Sequence, residues 1–361
     1  MALKTVAVLL CSFATSLAVL PDVGVPNYSC PGDSMKKSKI VMALGDSLTA
    51  ANGAGAEDPL AVVLQYRGLA FQAGGDKTLD EHATIPNILK KYNPNLFGYS
   101  VGIGSPNVWE IAYLNVAMPG ANAKDLPGQA RQLVSLLKEH TESVNIKEDW
   151  KMLNIFIGGN DMCGYCRHSS YAPSICVSEI QEAIQIIYDN VPRVIVSLTT
   201  MLHLEILRKT DSGHFFCTRL HHDECGCESN TTFTDADIEK ACVEYADLEI
   251  QLGSNGTFER DDFSLVVQPF FRDADQPPMK DGKPYMGFFA PDCFHFSQWG
   301  HAVVTTWLWK NLLEPVGSKT TNASLSYPSL PLACPDLACP FIRTTKNSAD
   351  CSEYMTPVSE H

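Results

Sequence analysis

Four apolar segments of strand length recur along the chain, and segments with helical periodicity lie between them. The strand-like segments are residues 40–44, 151–157, 193–200 and 263–270, and the helical patterns are residues 123–140, 177–189, 235–252 and 299–313. Strands that alternate with helices are joined by right-handed crossovers, which make the strands parallel and cover both faces of the sheet. We therefore expect an α/β fold built on one parallel sheet.

Polar clusters lie just after apolar runs at three places. Residues 45–47 (Gly-Asp-Ser) and residues 159–161 (Gly-Asn-Asp) follow two of the predicted strands, and Gly120 follows a shorter apolar run. Open parallel sheets bind their ligands beyond the carboxyl ends of the strands. We expect the functional site to be assembled from these clusters.

Ser47 is the candidate nucleophile. A serine at the turn from a strand into a helix has an exposed hydroxyl, but it needs a base that is itself held by an acid. Asp292 precedes His295 by three residues, a spacing that in a turn places the carboxylate beside one imidazole nitrogen and leaves the other for Ser47. The alternatives are that Ser47 is a helix N-cap and that the Asp-x-x-His pair consists of polar surface residues or caps a helix.

Acyl transfer also requires hydrogen-bond donors for the developing oxyanion. Gly120 can offer a backbone N–H that no side chain obstructs, and Asn160 can offer a side-chain amide. A turn glycine and a turn or cap residue are the alternatives for these two positions. Asp46 and Asp161 adjoin these positions, and we interpret them as hydrogen-bonding braces of their loops.

The four blocks, taken in order, resemble the motifs of the GDSL, or SGNH, hydrolase superfamily. They are Gly-Asp-Ser at 45–47, Asn-x-Ala-x-x-Gly-Ala at 115–121, Gly-Gly-Asn-Asp at 158–161 and Asp-x-x-His at 292–295. The resemblance implies a three-layer α/β/α, flavodoxin-like fold with a central parallel sheet. It implies that Ser47 is the nucleophile, His295 its base and Asp292 the orienting acid. The implied oxyanion hole consists of the Ser47 and Gly120 N–H groups and the Asn160 side chain.

The sequence around these blocks, at residues 45–53, 120–130 and 292–301, also resembles the animal phospholipase B1 family, and the resemblance extends over about residues 38–317. This resemblance implies a serine ester hydrolase that releases fatty acids from phospholipids and lysophospholipids without a cofactor or metal. Its partners would be the lipid substrate and, transiently, a membrane or micelle surface, with no obligate protein partner. The alternatives are an SGNH esterase that acts on small or sugar acyl esters, and an inactive lipid-binding scaffold.

Charge and the N-terminus bear on location. The chain has 27 Lys and Arg against 41 Asp and Glu, a net charge of −14, which argues against nucleic-acid binding. Lys4 precedes an apolar run that ends near small residues, so we predict that residues 1–18 are a signal peptide and that the protein is secreted, with an uncleaved anchor as the alternative. The predicted organisation continues with an N-terminal segment (19–37), the hydrolase domain (38–317) and a cysteine-containing tail (318–361).

Thirteen cysteines fit an oxidising environment. Cys11 lies in the predicted signal peptide, and disulfides are the expected fate of the other twelve, although the sequence leaves their pairing open. We interpret residues 203–242 as a disulfide-held insertion, and we expect Cys293 to bond a distant cysteine and fix the Asp-x-x-His loop. The His-His-Asp-Glu-Cys-Gly-Cys stretch at 221–227 leaves a metal site as the lesser alternative. Candidate N-glycosylation sites are Asn27, Asn230, Asn255 and Asn322.

Overall fold

The computed structural model describes residues 23–25, 28, 38–211, 215–327 and 329–355. The predicted signal peptide, residues 1–18, lies outside these residues, and so does the sequon at Asn27. Within the described residues, none of the helices combines the length and the apolar character that crossing a bilayer requires.

A mostly parallel sheet forms the centre of the fold. Its strands are β1 (Ser38–Gly45), β2 (Trp150–Phe156), β3 (Val194–Thr199), β4 (Glu259–Arg260) and β5 (Phe263–Gln268), and a separate hairpin joins β6 (Met279–Lys280) to β7 (Lys283–Pro284). The sheet order is β1-β2-β3-β5-β4, with β1, β2, β3 and β5 parallel. The predicted α/β class and parallel sheet are confirmed. The two-residue strand β4 departs from the prediction, because it folds back antiparallel on β5.

Helices flank this sheet. They are α1 (Ile85–Tyr92), α2 (Trp109–Ala112), α3 (Leu126–Glu139), α4 (Gly159–Tyr165), α5 (Pro173–Asn190), α6 (Glu205–Asp211), α7 (Phe215–Glu224), α8 (Asp235–Ser254), α9 (Gln298–Leu313) and α10 (Thr345–Ala349). Helices α3, α5 and α8 pack side by side, whereas α9 packs against β5. The four predicted helices are present as α3, α5, α8 and α9. Helix α5 begins earlier than its apolar pattern because Pro173 occupies its first turn.

The tail beyond residue 317 covers α9. The indole N–H groups of Trp307 and Trp309 donate to the carbonyls of Ser324 and Ala333, both at 2.8 Å. This cover explains why α9 is apolar on nearly every face. The tail contains one short helix, α10, which lies within the loop closed by the Cys339–Cys351 disulfide.

Disulfides tie the 203–242 segment to its surroundings. Cys163 bonds Cys225, Cys166 bonds Cys227, and Cys217 bonds Cys293. The expectation that Cys293 bonds a distant cysteine is therefore confirmed. Because Cys225 and Cys227 are in disulfides, neither sulfur is a metal ligand. Pairing of all twelve cysteines is wrong for Cys176 and Cys242, which are buried and free. Cys176 instead donates its thiol hydrogen to Asp161, at 3.4 Å.

Candidate active site

The end of β1 places Ser47 at the carboxyl edge of the sheet. Gly45 exchanges two hydrogen bonds with the side-chain amide of Gln129 in α3, at 2.9 and 2.8 Å. A Cβ at position 45 would lie 2.5 Å from the carbonyl oxygen of Phe156, so only glycine lets β1 end this close to β2. The predicted helix after Ser47 is absent: irregular turns follow, with the Ala50 N–H bonded to the Asp46 carbonyl at 2.9 Å.

Ser47, His295 and Asp292 form one continuous hydrogen-bonded chain. Ser47 Oγ lies 2.8 Å from His295 Nε2, and His295 Nδ1 lies 2.5 Å from Asp292 Oδ2. The other carboxylate oxygen of Asp292 accepts the N–H groups of Phe294 and His295, each at 3.0 Å. A carboxylate at Nδ1 requires a proton there, which leaves Nε2 as the acceptor for the serine hydroxyl.

Asp292 is arranged to stay ionised although it is buried. Burial alone would raise the pKa of this carboxyl, but the hydrogen bond and positive charge of His295, together with the two backbone N–H groups, outweigh it and lower the pKa below its usual range. The His295 side chain is 15% exposed, which makes it more accessible to solvent than the carboxylate of Asp292. The arrangement therefore suits proton transfer between Ser47 and a group arriving from solvent.

Gly120 lies beside Ser47 because the segment before it runs alongside β1. Ala43 donates its N–H to the Leu114 carbonyl at 3.0 Å, and Met118 donates to the Gly45 carbonyl at 3.1 Å. Gly120 then turns in the left-handed region, with φ of +78°, which favours glycine. In the described part of the chain neither the Gly120 N–H nor the Ser47 N–H has an acceptor. Both are available to an oxyanion.

Asn160 stands at the start of α4, directly after β2. Gly158 has φ of +117°, and a Cβ there would lie 2.9 Å from the Tyr245 hydroxyl, so glycine is required for this turn. One hydrogen of the Asn160 amide is donated to the Ala121 carbonyl at 2.9 Å, which leaves the second for a ligand. Asp161 accepts the N–H of Ala123 at 3.0 Å. Residues 160 and 161 thus hold the loop that carries Gly120, and the brace expected of Asp161 is present.

Two parts of the site have no signal in the sequence. Arg67 is fully buried and donates to the carbonyls of Asn115 and Ala117, at 3.0 and 2.6 Å, which fixes the segment leading to Gly120. A cavity beside Ser47 and Asn160 is lined mainly by apolar side chains: Leu48, Phe156, Ile157, Met201, Leu202, Leu204, Leu207 and Phe294. Two of these, Leu204 and Leu207, come from the 203–242 segment, which its sequence identifies only as a disulfide-held insertion.

We expect Asn160→Ala to lower kcat about 10²–10³-fold with little change in KM, because a donor aimed at the oxyanion acts in the transition state rather than on bound substrate. Asn160→Asp is the matched variant, since it keeps the side-chain size but replaces the donor with a negative charge. It should lose at least as much activity. Steady-state kinetics on a soluble acyl ester measures both, and an Asn160→Asp variant with normal kcat would contradict the oxyanion role.

Asp46 supports a prediction about stability. Burial raises the pKa of this carboxyl to about 7, against the opposing effects of the Leu48 N–H and the His295 charge. The folded state therefore holds the proton more tightly than the unfolded chain, and the stability this contributes is full below about pH 4 and is lost as pH rises through about 7. Asp46→Asn stays neutral and keeps an oxygen for Leu48.

The unfolding free energy of Asp46→Asn minus that of wild type should therefore increase by about 1–4 kcal/mol as the pH rises from 4 to 8. Urea unfolding followed by circular dichroism at both pH values measures the difference. A difference that does not change with pH would show that Asp46 keeps the same charge in both states.

Comparison with known proteins identifies the family. Residues 41–308 match the GDSL-like lipase/acylhydrolase family, a span that includes Ser47, Gly120, Asn160, Asp292 and His295. The chain belongs to this family. It is 42% identical over 323 residues to human "Phospholipase B1, membrane-associated" and 39% identical over 319 residues to the rat protein of the same name, each match covering 86% of this chain. The chain spans about a fifth of the length of these relatives.

Proposed function

We propose that this GDSL-family protein is a secreted serine ester hydrolase that releases fatty acids from phospholipids and lysophospholipids. The observation that carries the proposal is the chain from Ser47 Oγ through His295 to Asp292, at 2.8 and 2.5 Å, beside two unpartnered backbone N–H groups. A hydroxyl, a base, an oriented acid and oxyanion donors in one place are the parts that acyl transfer needs.

The reaction follows from these positions. As Ser47 Oγ attacks the acyl carbonyl carbon, its proton passes to His295 Nε2, and Asp292 stabilises the imidazolium. The N–H groups of Ser47 and Gly120 and the Asn160 amide receive the negative oxygen. The intermediate collapses to an acyl-serine when His295 returns the proton to the leaving alcohol. Water, deprotonated by His295, then attacks the acyl-serine. The acyl–oxygen bond breaks as His295 returns the proton to Ser47 Oγ, which releases the fatty acid and restores the serine.

Two observations support a lipid rather than a small polar ester. The cavity beside Ser47 is lined by Leu202, Leu204, Leu207 and Phe294, which suits an acyl chain better than a sugar. The relatives at 39–42% identity are phospholipases B1 by name. The leaving group would then be a lysophospholipid from the first cleavage or a glycerophosphodiester from the second.

Export is supported by chemistry within the described residues. Four disulfides there favour an oxidising compartment. Among the candidate glycosylation sites, Asn255 and Asn322 are exposed and Asn230 is half-buried. In Asn230 and Asn255 the side-chain oxygen accepts an N–H two residues on, at 3.0 and 2.8 Å, so the amide nitrogen that a glycan would modify is not engaged.

The test is fatty-acid release from phosphatidylcholine and lysophosphatidylcholine, in excess chelator, quantified by mass spectrometry. The proposed reaction generates its nucleophile with His295 alone, so we expect release from both lipids with chelator present and none from Ser47→Ala. Hydrolysis of a short acyl ester without release from either lipid would replace the lipid assignment with a general esterase. Labelling by a serine-directed phosphonate separates both from an inactive scaffold.

A further inference from the structure

The most exposed apolar side chains cluster near the catalytic loop, residues 290–295. Leu60 (87% exposed), Phe215 (87%) and Val63 (74%) are the three most exposed large apolar side chains in the part of the chain that the structure describes, and Phe216 is 52% exposed. Single exposed apolar residues are common on protein surfaces. These lie instead in two short segments, residues 58–64 and 215–216, and both adjoin the catalytic loop, the first near Ala290 and the second through the neighbouring Cys217.

The first segment, residues 58–64, lies next to the catalytic loop. A Cβ at Gly53 would lie 3.1 Å from side-chain atoms of both Val62 and Ala290, so the buried side of this segment lies next to the loop. Gly53 donates its N–H to the Leu64 carbonyl at 3.0 Å. Val62 is buried, while its neighbours Leu60 and Val63 point away into solvent.

The second segment is attached covalently. Cys217 forms a disulfide with Cys293, which lies between Asp292 and His295. Phe215 and Phe216 immediately precede Cys217 at the start of α7. Helix α6, just before them in the chain, contributes Leu207 to the cavity beside Ser47. Apolar side chains therefore line the cavity and are also exposed on segments that adjoin the catalytic loop.

We propose that Leu60, Val63, Phe215 and Phe216 form a docking surface that inserts into a zwitterionic phospholipid surface and brings the mouth of the site to its substrate. This inference rests on the proposed function. Charge selects the zwitterionic surface: the chain carries a net charge of −14, and Glu57 and Asp58 are exposed next to Leu60. Anionic lipid would be repelled, so insertion of the apolar side chains has to provide the binding.

The test measures vesicle binding without turnover. The full chain with Ser47→Ala is sedimented with phosphatidylcholine vesicles, and Phe215→Ser/Phe216→Ser and Leu60→Ser/Val63→Ser are each added to it. We expect each pair to lower the partition coefficient about tenfold or more. Leu337→Ser is the matched control, because Leu337 is 62% exposed but lies in the tail, and its binding should equal that of the parent.

Three results would overturn the docking surface. Both pairs could bind vesicles as tightly as the parent, or binding could require phosphatidylserine and weaken in high salt. Light scattering could instead show a dimer that dissociates in the Phe variants while vesicle binding is unchanged, which would assign the surface to a second copy of the chain. Because binding is measured on the Ser47→Ala chain, failure of the proposed hydrolysis leaves this measurement intact, and failure of docking leaves fatty-acid release to be judged separately.

Discussion

Ser47→Ala should lower kcat for acyl-ester hydrolysis by about 10⁴–10⁶-fold while leaving the free energy of unfolding nearly unchanged. In the proposed mechanism the Ser47 hydroxyl oxygen forms the covalent bond to the acyl group, so its removal eliminates the acyl-enzyme route. The variant loses one hydrogen bond, to His295 Nε2, and the imidazole that loses this partner is partly exposed to solvent. Fatty-acid release gives the rate, and thermal unfolding followed by circular dichroism gives the stability.

His295→Ala is the companion variant, because base and nucleophile act as a unit. Alone it should lose about as much activity as Ser47→Ala, and the double variant should lose little more than either, since what remains comes from the oxyanion donors and binding. If the losses multiply in the double variant, Ser47 and His295 act independently. A Ser47→Ala enzyme that keeps most of its activity would place the nucleophile elsewhere.

The strands of the sheet and the pairing of Asp292 with His295 could be predicted from the sequence because each depends on local patterns. The apolar run at 40–44, which ends at Gly45, predicts a strand from its own residues. The spacing of Asp292 and His295 confines both to one turn. The contact between Ser47 and His295 spans 248 residues, and it followed from the parallel sheet together with the family resemblance.

Other features depend on distant contacts and left no local signal. Nothing near Arg67 distinguishes a guanidinium buried against backbone carbonyls from one in solvent. The partners of Cys163 and Cys166 are fixed by where residues 203–242 pack, so spacing alone could not choose among them. The predicted helix after Ser47 was wrong because Asp46 and Ser47 start single turns instead, with their carbonyls bonded to Ala50 and Asn52.

Asp292→Asn should keep the fold and lower kcat by about 10⁴-fold. An amide can occupy the same space and accept the N–H groups of Phe294 and His295 through its oxygen, but its NH₂ group would face His295 Nδ1. That contact favours the tautomer with the proton on Nε2, which cannot take the Ser47 proton. Asp149→Asn is the matched control: Asp149 is also buried and bonded to a backbone N–H, but its partners are Asn145 and Lys39 rather than His295.

The pH dependence of the unfolding free energy of wild type and Asp292→Asn distinguishes the effect of the carboxylate charge from the effect of the side-chain shape. The pKa of Asp292 is lowered in the folded state, so its charge contributes stability that is present above about pH 4, the unfolded value, and is lost as pH falls through the folded value. Wild type should therefore exceed Asp292→Asn in unfolding free energy near neutral pH, and the gap should close in acid. A difference in unfolding free energy of the same size at pH 7 and pH 3 would mean that the variant loses stability because the side chain has changed shape, not because it has lost its charge. Activity that survives Asp292→Asn would mean that His295 does not depend on this carboxylate for its tautomer.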